Sequence, residues 1–552
     1  MFTLHMKKNQ KFHKKAMYRA MQQILLIAST FSFSNHSFGQ QFPFDIAIDS
    51  IEIPQLGGLQ SYSVAQANGK WLIIGGRLDG LHQRQPWASF DRAGHNTQLM
   101  VIDPVSKQKW SAPLSALSQN LQEQLSATNM AFYQVDDNLF LAGGYGFSAR
   151  ADDHKTFPFL TVVKVSAVID AIQNESPMEL YFKQIADEKM AVTGGKLQQI
   201  DGVFYLVGGH RFDGRYNPMN NPTFTQTYTN AIRKFTVEMS DTAVRIEHEK
   251  EIYSSKYLHR RDLNVLPQIL PNGNQGLVVF SGVFQEDVDL PYLTSVVIDA
   301  DSFSVQPDFA QYYNQYHCAS ISLFDAGQNN MHNLFFGGIS QYYDSSGFIV
   351  QDNDVPFVKT IACVSRDKNG WMQEFKFPIS MPAYLGAASE FIVNPALKTF
   401  SNGTIEVNSF TSDTTLLGYI YGGIQSSAAN IFWVNTGVES KASNLIYPVY
   451  LIKNEGAKTN LNGQSTNTFQ LQIYPNPVDD ELSISFTLPT AGNVEITVEN
   501  LMGEIAFTRT LKNIAAGEYF RKIRFKNLNR GAVYYIKVTI NGKTVTQKML
   551  VN

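Results

Sequence analysis

One pattern recurs through the middle of this 552-residue chain: an alternating apolar strand, a tight turn, a second apolar strand and then a glycine pair. "SYSVAQANGKWLIIGG" ends at Gly75–Gly76, "MAFYQVDDNLFLAGG" at Gly143–Gly144 and "KLQQIDGVFYLVGG" at Gly208–Gly209. A weaker copy, "LPQILPNGNQGLVVFSG", ends at Ser281–Gly282 and "CASISLFDAGQNNMHNLFFGG" at Gly337–Gly338. A stretched copy, "ASEFIVNPALKTF" through "LLGYIYGG", ends at Gly422–Gly423. Successive pairs lie 68, 65, 73, 56 and 85 residues apart, room for four short strands and one long loop per unit. A supersecondary unit repeated at such a period buries its apolar face only against its neighbours, as in a solenoid or a propeller.

The turns "ANGK", "VDDN" and "IDGV" carry the Asn-Gly, Asp-Asp and Asp-Gly chemistry that joins antiparallel strands through residues of positive φ. Third strands follow in "TQLMVIDP", "NAIRKFTV", "TSVVIDAD" and "KTIACVSRD", and fourth strands in "QKWSAPL" and "GWMQEFKFP". With Trp110 and Trp371 on fourth strands, the repeat resembles that of kelch-type β-propellers, over roughly residues 42 to 453. Ser281 in place of a glycine departs from the family pattern. The expected fold is all-β, a six-bladed kelch-like propeller. The last unit lacks a fourth strand, and "IDSIEIPQLGG" (Ile48 to Gly58) is expected to supply it from the N-terminus, removing an open sheet edge.

Lys7, Lys8, Lys11, Lys14, Lys15 and Arg19 precede the apolar run Ile24 to Phe33, and "SFG" ends at Gly39 before Gln40. This order reads as a secretory signal peptide, residues 1–39, cleaved between Gly39 and Gln40. The apolar run is well short of the ~20 residues that span a bilayer, so no transmembrane segment is expected. Met17 offers a second start. Without residues 1–39 the formal charge falls from −3 to −9, which argues against a nucleic-acid partner. Cys318 and Cys363 fall on strands one and three of one unit, and two strand spacings of ~4.8 Å exceed the reach of a disulfide. They are expected to be free thiols.

Residues 454–468, in a stretch without apolar periodicity, read as a linker between the propeller, 40–453, and a C-terminal module, 469–552. That module alternates in short strands and reads as a small β-sandwich. Its ordered segments "YPNPVDDEL", "VENLMGEI", "GEYF" and "LNRGAVYYIKVTINGKTVTQKMLV" closely resemble the C-terminal sorting domain of type IX secretion cargo in the Bacteroidetes. The resemblance implies passage through Sec and then the type IX translocon, its partner through this domain, to the outer cell surface or the medium.

The loops after the glycine pairs and the segments leading into each first strand are expected on one propeller face. They offer Arg77, Asp79, His82 and Arg84, then His210, Arg211, Asp213 and Arg215, then His259, Arg260 and Arg261, with His317 and Tyr384. Forked arginines and aromatic faces suit an anionic or hydroxyl-rich ligand, a glycan or a protein. The competing reading is that these charges pair with one another and order the loops. No cofactor, metal site or catalytic residue is expected: His-x-His and Glu-x-x-His spacings are absent. The kelch resemblance leaves a carbohydrate-active enzyme as the alternative, galactose-oxidase-like or sialic-acid-mutarotase-like, but the copper ligand set of the former does not map onto this chain.

Deleting Phe469 to Asn552 is expected to leave a folded propeller retained in the periplasm. Cell fractionation checks this, and normal amounts of the truncated protein outside the cell would contradict it.

Overall fold

The computed structural model describes residues 43–453, apart from 220–222, 241–242, 308 and 346–347, and most of 471–551. The signal peptide, its cleavage site and the linker lie outside the described residues. The chain divides into two compact units, one spanning Phe44–Asn454 and the other containing the C-terminal module.

In the larger unit six antiparallel sheets follow one another in chain order. Blade 1 runs outward through Ser63–Ala67, Lys70–Ile74, Gln98–Asp103 and Gln108–Pro113. Blades 2 to 5 have first strands Ala131–Val135, Lys196–Ile200, Asn264–Ile269 and Ala319–Asp325, each followed outward by three more in order. Blade 6 takes Tyr384–Val393, Thr414–Ser426 and Ile446–Lys453 from the end of the unit, and its fourth strand is Phe44–Ile48. The six-bladed propeller is therefore closed by the N-terminal strand, with Phe44 opposite Lys453 and Ile48 opposite Val449. The closing strand lies earlier than the expected Ile48 to Gly58, of which only Ile51 adds a further bridge, to Ile446. The residues after Ile51 instead run between blades 6 and 1, where Ile53, Leu56 and Leu59 are buried with Trp71, Ile73 and Tyr421.

The glycine pairs join one blade to the next. The second glycine donates its N–H to a carbonyl just ahead of the following blade: Gly76 to Ala127, Gly144 to Val192, Gly209 to Arg260 and Gly423 to Leu59, at 2.7–2.9 Å. The first glycine lies against that same carbonyl; a Cβ on Gly143 would stand 1.9 Å from Val192 O, and one on Gly422 2.2 Å from Leu59 O. Positive φ and this contact together exclude a side chain. In blade 4 Ser281 holds φ +49, and its hydroxyl donates to Asn314 O at 2.5 Å.

Three of the loops that follow glycine pairs are hairpins: Tyr145–Ser148 with Asp153–Thr156, His210–Gly214 with Phe224–Tyr228, and Tyr342–Ser345 with Phe348–Gln351. A nine-residue helix, Val165–Gln173, is inserted before the fourth strand of blade 2. Its buried face of Val165, Val168, Ile169 and Ile172 packs on the strands of blade 1. Cys318 and Cys363 are free and buried, and burial pushes both thiols up to about 12. Trp371 lies in the turn before its strand and is exposed.

The C-terminal unit has seven strands in two sheets, one of three and one of four. Leu482, Ile484 and Phe486 of the first share a core with Val494, Ile496, Val498, Ile536 and Val538 of the second. That is a β-sandwich, its alternating sequence turned inward on both faces.

Phe44 and Ile46 are buried in the closing strand. Replacing both by Ala is expected to lower propeller stability by several kcal/mol, since each buried large-to-small change costs about 2–5 kcal/mol. Denaturant unfolding measures it, and an unchanged midpoint would show that blade 6 holds with three strands.

Candidate functional site

Each blade holds one residue of positive φ at the entry to its inner hairpin: Ser61, Asn129, Gly194, Asp262 and His317 just ahead of the first strand in blades 1 to 5, and Ala388 within the first strand of blade 6. Their backbones link blade to blade. Asn129 donates to Ser61 O (3.0 Å), Gly194 to Asn129 O (3.2 Å) and Asp262 to Gly194 O (2.7 Å). Ala388 donates to His317 O (2.6 Å) and Ser61 to Ala388 O (2.9 Å). Five of six joints are thus backbone hydrogen bonds around the axis. At the sixth, between Asp262 and His317, two side chains meet instead, with His317 Nδ1 3.6 Å from Asp262 Oδ1.

Two residues further along, the equivalent positions are Ser63, Ala131, Lys196, Asn264, Ala319 and Glu390, each opposite the residue before its glycine pair. Lys196 and Glu390 belong to blades 3 and 6, opposite each other in a ring of six, and their side chains pair across the axis at 2.9 Å. This ion pair floors a cavity of about 10 Å³ lined by Ser61, Asn129, Asp262 and His317, room for about one water molecule.

Around this floor Arg261 pairs with Asp262 and lies over the Phe284 ring at 5.1 Å. Burial alone would raise the Asp262 carboxyl, but Arg261, with His317, holds it well below the ordinary range. Burial would likewise lower Arg261, and Asp262, Tyr228 and Tyr216 more than offset it. Buried His210 takes a hydrogen bond from Gln226 at 2.7 Å, and burial beside Arg261 lowers it to about 3.

The other sequence-predicted residues are placed differently. Arg77 is forked onto Asp79 (2.7 and 2.5 Å) and lies over Phe90. Arg211 bridges Asp213 and Glu188, both at 2.7 Å, on the outer side of its hairpin. Arg84 donates to Trp433 O (2.9 Å), and Arg215 to Trp87 O (2.6 Å) and Ser89 O (2.8 Å). His82 packs against Tyr216 and Phe432 at 4.8 and 5.4 Å. His259 stacks on Tyr228 at 3.8 Å and meets Asn230. Arg260 is fully buried, spending its donors on the carbonyls of Tyr257, Ser281 and Thr294 while stacked on Tyr292. Tyr384 lies under the Lys359 ammonium. The fold therefore gathers His82, His210, Arg261 and His317 near the axis, while most of the arginines tie loops together.

Sequence reading missed Ser61, Asn129, Lys196, Asp262 and Glu390. For Ser61, Asn129 and Asp262 the signal was positional, a Ser, Asn, Gly or Asp ahead of the inner strand, types that tolerate positive φ; Lys196 and Glu390 carried no local signal. A roomier cleft of about 450 Å³ lies among Ser118, Leu121, Arg150, Glu179, Phe182 and Gln184, but it draws on two blades only. Among the described residues no three His, Cys, Asp or Glu side chains gather as a metal site, and no helix is long and apolar enough to cross a membrane.

Residues 472–552 match the model of the secretion system C-terminal sorting domain. The chain thus carries, after a six-bladed β-propeller, a type IX sorting domain that directs it to the cell surface or beyond. No curated protein matches it. Among solved structures, a fungal alcohol oxidase of the AA5 family in complex with copper is 11% identical with a TM-score of 0.37, covering 93% of this chain and 100% of that one. YjhT is 10% identical with a TM-score of 0.37, over 69% and 95%. Sucrose-6-phosphate hydrolase from Lactobacillus gasseri is 10% identical with a TM-score of 0.29, over 78% and 87%. At such distances the propeller assignment rests on the strand order of the chain itself.

Burial lowers His95 and His210 to about 3 and His332 to about 4. A folded pKa below the unfolded value near 6.5 means that the unfolded chain binds the extra protons. Stability is therefore full above pH 6.5 and falls as pH drops toward 4, by up to about 1.4 kcal/mol per pH unit for each such histidine. Denaturant midpoints across this window check it, and His210→Gln is expected to flatten the slope.

Proposed function

We propose that this exported propeller is a binding protein that recognises a glycan or a protein ligand on its loop face, at the axial end. The observation that carries the reading is convergence. Asn129 from blade 2, Arg261 and Asp262 ahead of blade 4, and His317 ahead of blade 5 meet above the Lys196–Glu390 pair. Loop order alone does not require polar groups from separate repeats to meet on one axis. Trp87 and Trp433 stand exposed on the same loops, held by their carbonyls, and offer stacking faces.

The copper-dependent alternative needs a tyrosine crosslinked to cysteine. Cys318 packs with Phe280 and Phe335, and Cys363 faces Ser365. These surroundings do not fit that ligand set, and no step through copper is derived.

A glycan array on the purified full-length chain identifies the ligand. Asn129→Ala and His317→Ala are each expected to weaken the array hit by about 1–3 kcal/mol, because a desolvated ligand group loses its partner. Titration calorimetry measures it, and unchanged affinity in both variants would show that the axial groups only hold blades together. Arg261→Ala is expected to lower the melting temperature as well, since it strands the Asp262 charge.

A further inference from the structure

The axial cluster lies beneath loops that are fastened to one another as well as to their own blades. From blade 3, Arg215 reaches the Trp87 and Ser89 carbonyls of the blade 1 loop. From blade 1, Arg84 reaches the Trp433 carbonyl of the blade 6 loop and stacks on its indole at 5.1 Å. Asn435 of that loop returns two bonds, to Leu81 O (2.8 Å) and His82 O (2.9 Å). His82, packed on Tyr216 and Phe432, completes an aromatic layer drawn from blades 1, 3 and 6. The arginine side chains fasten mainly on carbonyls, which water satisfies once they part, and Arg215 adds a half-exposed ion pair with Asp91 at 3.7 Å, which water screens.

Beneath the layer the accounts do not balance. Asn129 Oδ1 and Arg261 Nε are buried and have no hydrogen-bond partner among the described residues. They flank Asp262, at the one joint where the backbone ring is open. Asn129 Oδ1 lacks a donor and Arg261 Nε lacks an acceptor, and a hydroxyl group supplies both. The present cavity of about 10 Å³ holds nothing larger than a water molecule. Asn129 thus lines, and Arg261 adjoins through Asp262, a space that admits no ligand while the loops stay fastened.

We propose that the loops of blades 1, 3 and 6 form a lid over an axial site for a small hydroxyl-rich molecule, a sugar monomer or chain end, and that the Arg84 and Arg215 latches must release to admit it. The ligand class rests on the loop-face reading above; the lid does not.

The test places a thiol beneath the lid with Ser61→Cys in the full-length chain and follows its alkylation by iodoacetamide, site by site in peptide mass spectra. Cys318 and Cys363 are buried and serve as internal controls. With both latches intact the introduced thiol is expected to react slowly. Adding Arg84→Ala and Arg215→Ala is expected to raise its rate about tenfold or more through local opening, with the two native cysteines still protected. Equal rates with and without the latches overturn the lid. Should the double latch variant unfold, which reactive native cysteines would report, Arg84→Ala and Arg215→Ala are made singly, each releasing one latch, and are held to the same criterion. Millimolar D-galactose, D-glucose and D-glucuronate are then tested for protection of the thiol in the latch-free protein. Protection by any of them supports the site, and glucuronate alone would assign a sugar acid. Acceleration without protection by any sugar overturns the ligand class and leaves the lid standing. Array binding lost in His317→Ala, with alkylation indifferent to the latches, keeps the loop-face reading and overturns the lid.

Discussion

The architecture depends on the joint between a glycine pair and the carbonyl ahead of the next blade. The second glycine donates to that carbonyl and the first has no side chain to strike it. The same joint recurs from blade 6 to blade 1 through Gly423 and Leu59, so the ring meets itself without a special device on its inner side. On the outer side the device is the N-terminal strand. It covers the edge of blade 6, an exposed template for pairing with another chain if left bare.

A second set of links, around the axis, has consequences for chemistry. Holding one residue per blade at positive φ turns its N–H and C=O along the ring and leaves its side chain to face the centre. Wherever that residue is Gly194 or Ala388 the ring is only structural; where it is Asn129, Asp262 or His317 it carries polar groups inward. The Lys196–Glu390 pair below them spans the ring. The charges at the axis are therefore compensated in pairs, Lys196 with Glu390 and Arg261 with Asp262, a condition for their persistence in a dry interior.

Many of the loop arginines have their partners within the loops. Arg77, Arg211 and Arg215 meet acids or carbonyls of the loops. Arg260 is a packing element, its guanidinium flat on Tyr292 and its donors on carbonyls. The consecutive pair Arg260–Arg261 separates completely, one to the blade interface and one to the axis, because neighbouring residues point to opposite sides of an extended chain.

The sequence by itself determined the number of blades, the place of each inner hairpin and the sorting module. All of these depend on local chemistry: turn residues, alternating burial and glycine at positive φ are written within a few residues of one another. It also implied a closing N-terminal strand, but not its register, since Phe44–Ile48 and Ile48 to Gly58 are both mixed apolar segments. Only the tertiary structure decided which residues meet at the axis. Lys196 and Glu390 lie 194 residues apart and become partners because blades 3 and 6 of a six-membered ring stand opposite. No local propensity encodes that distance; it follows from closing the ring.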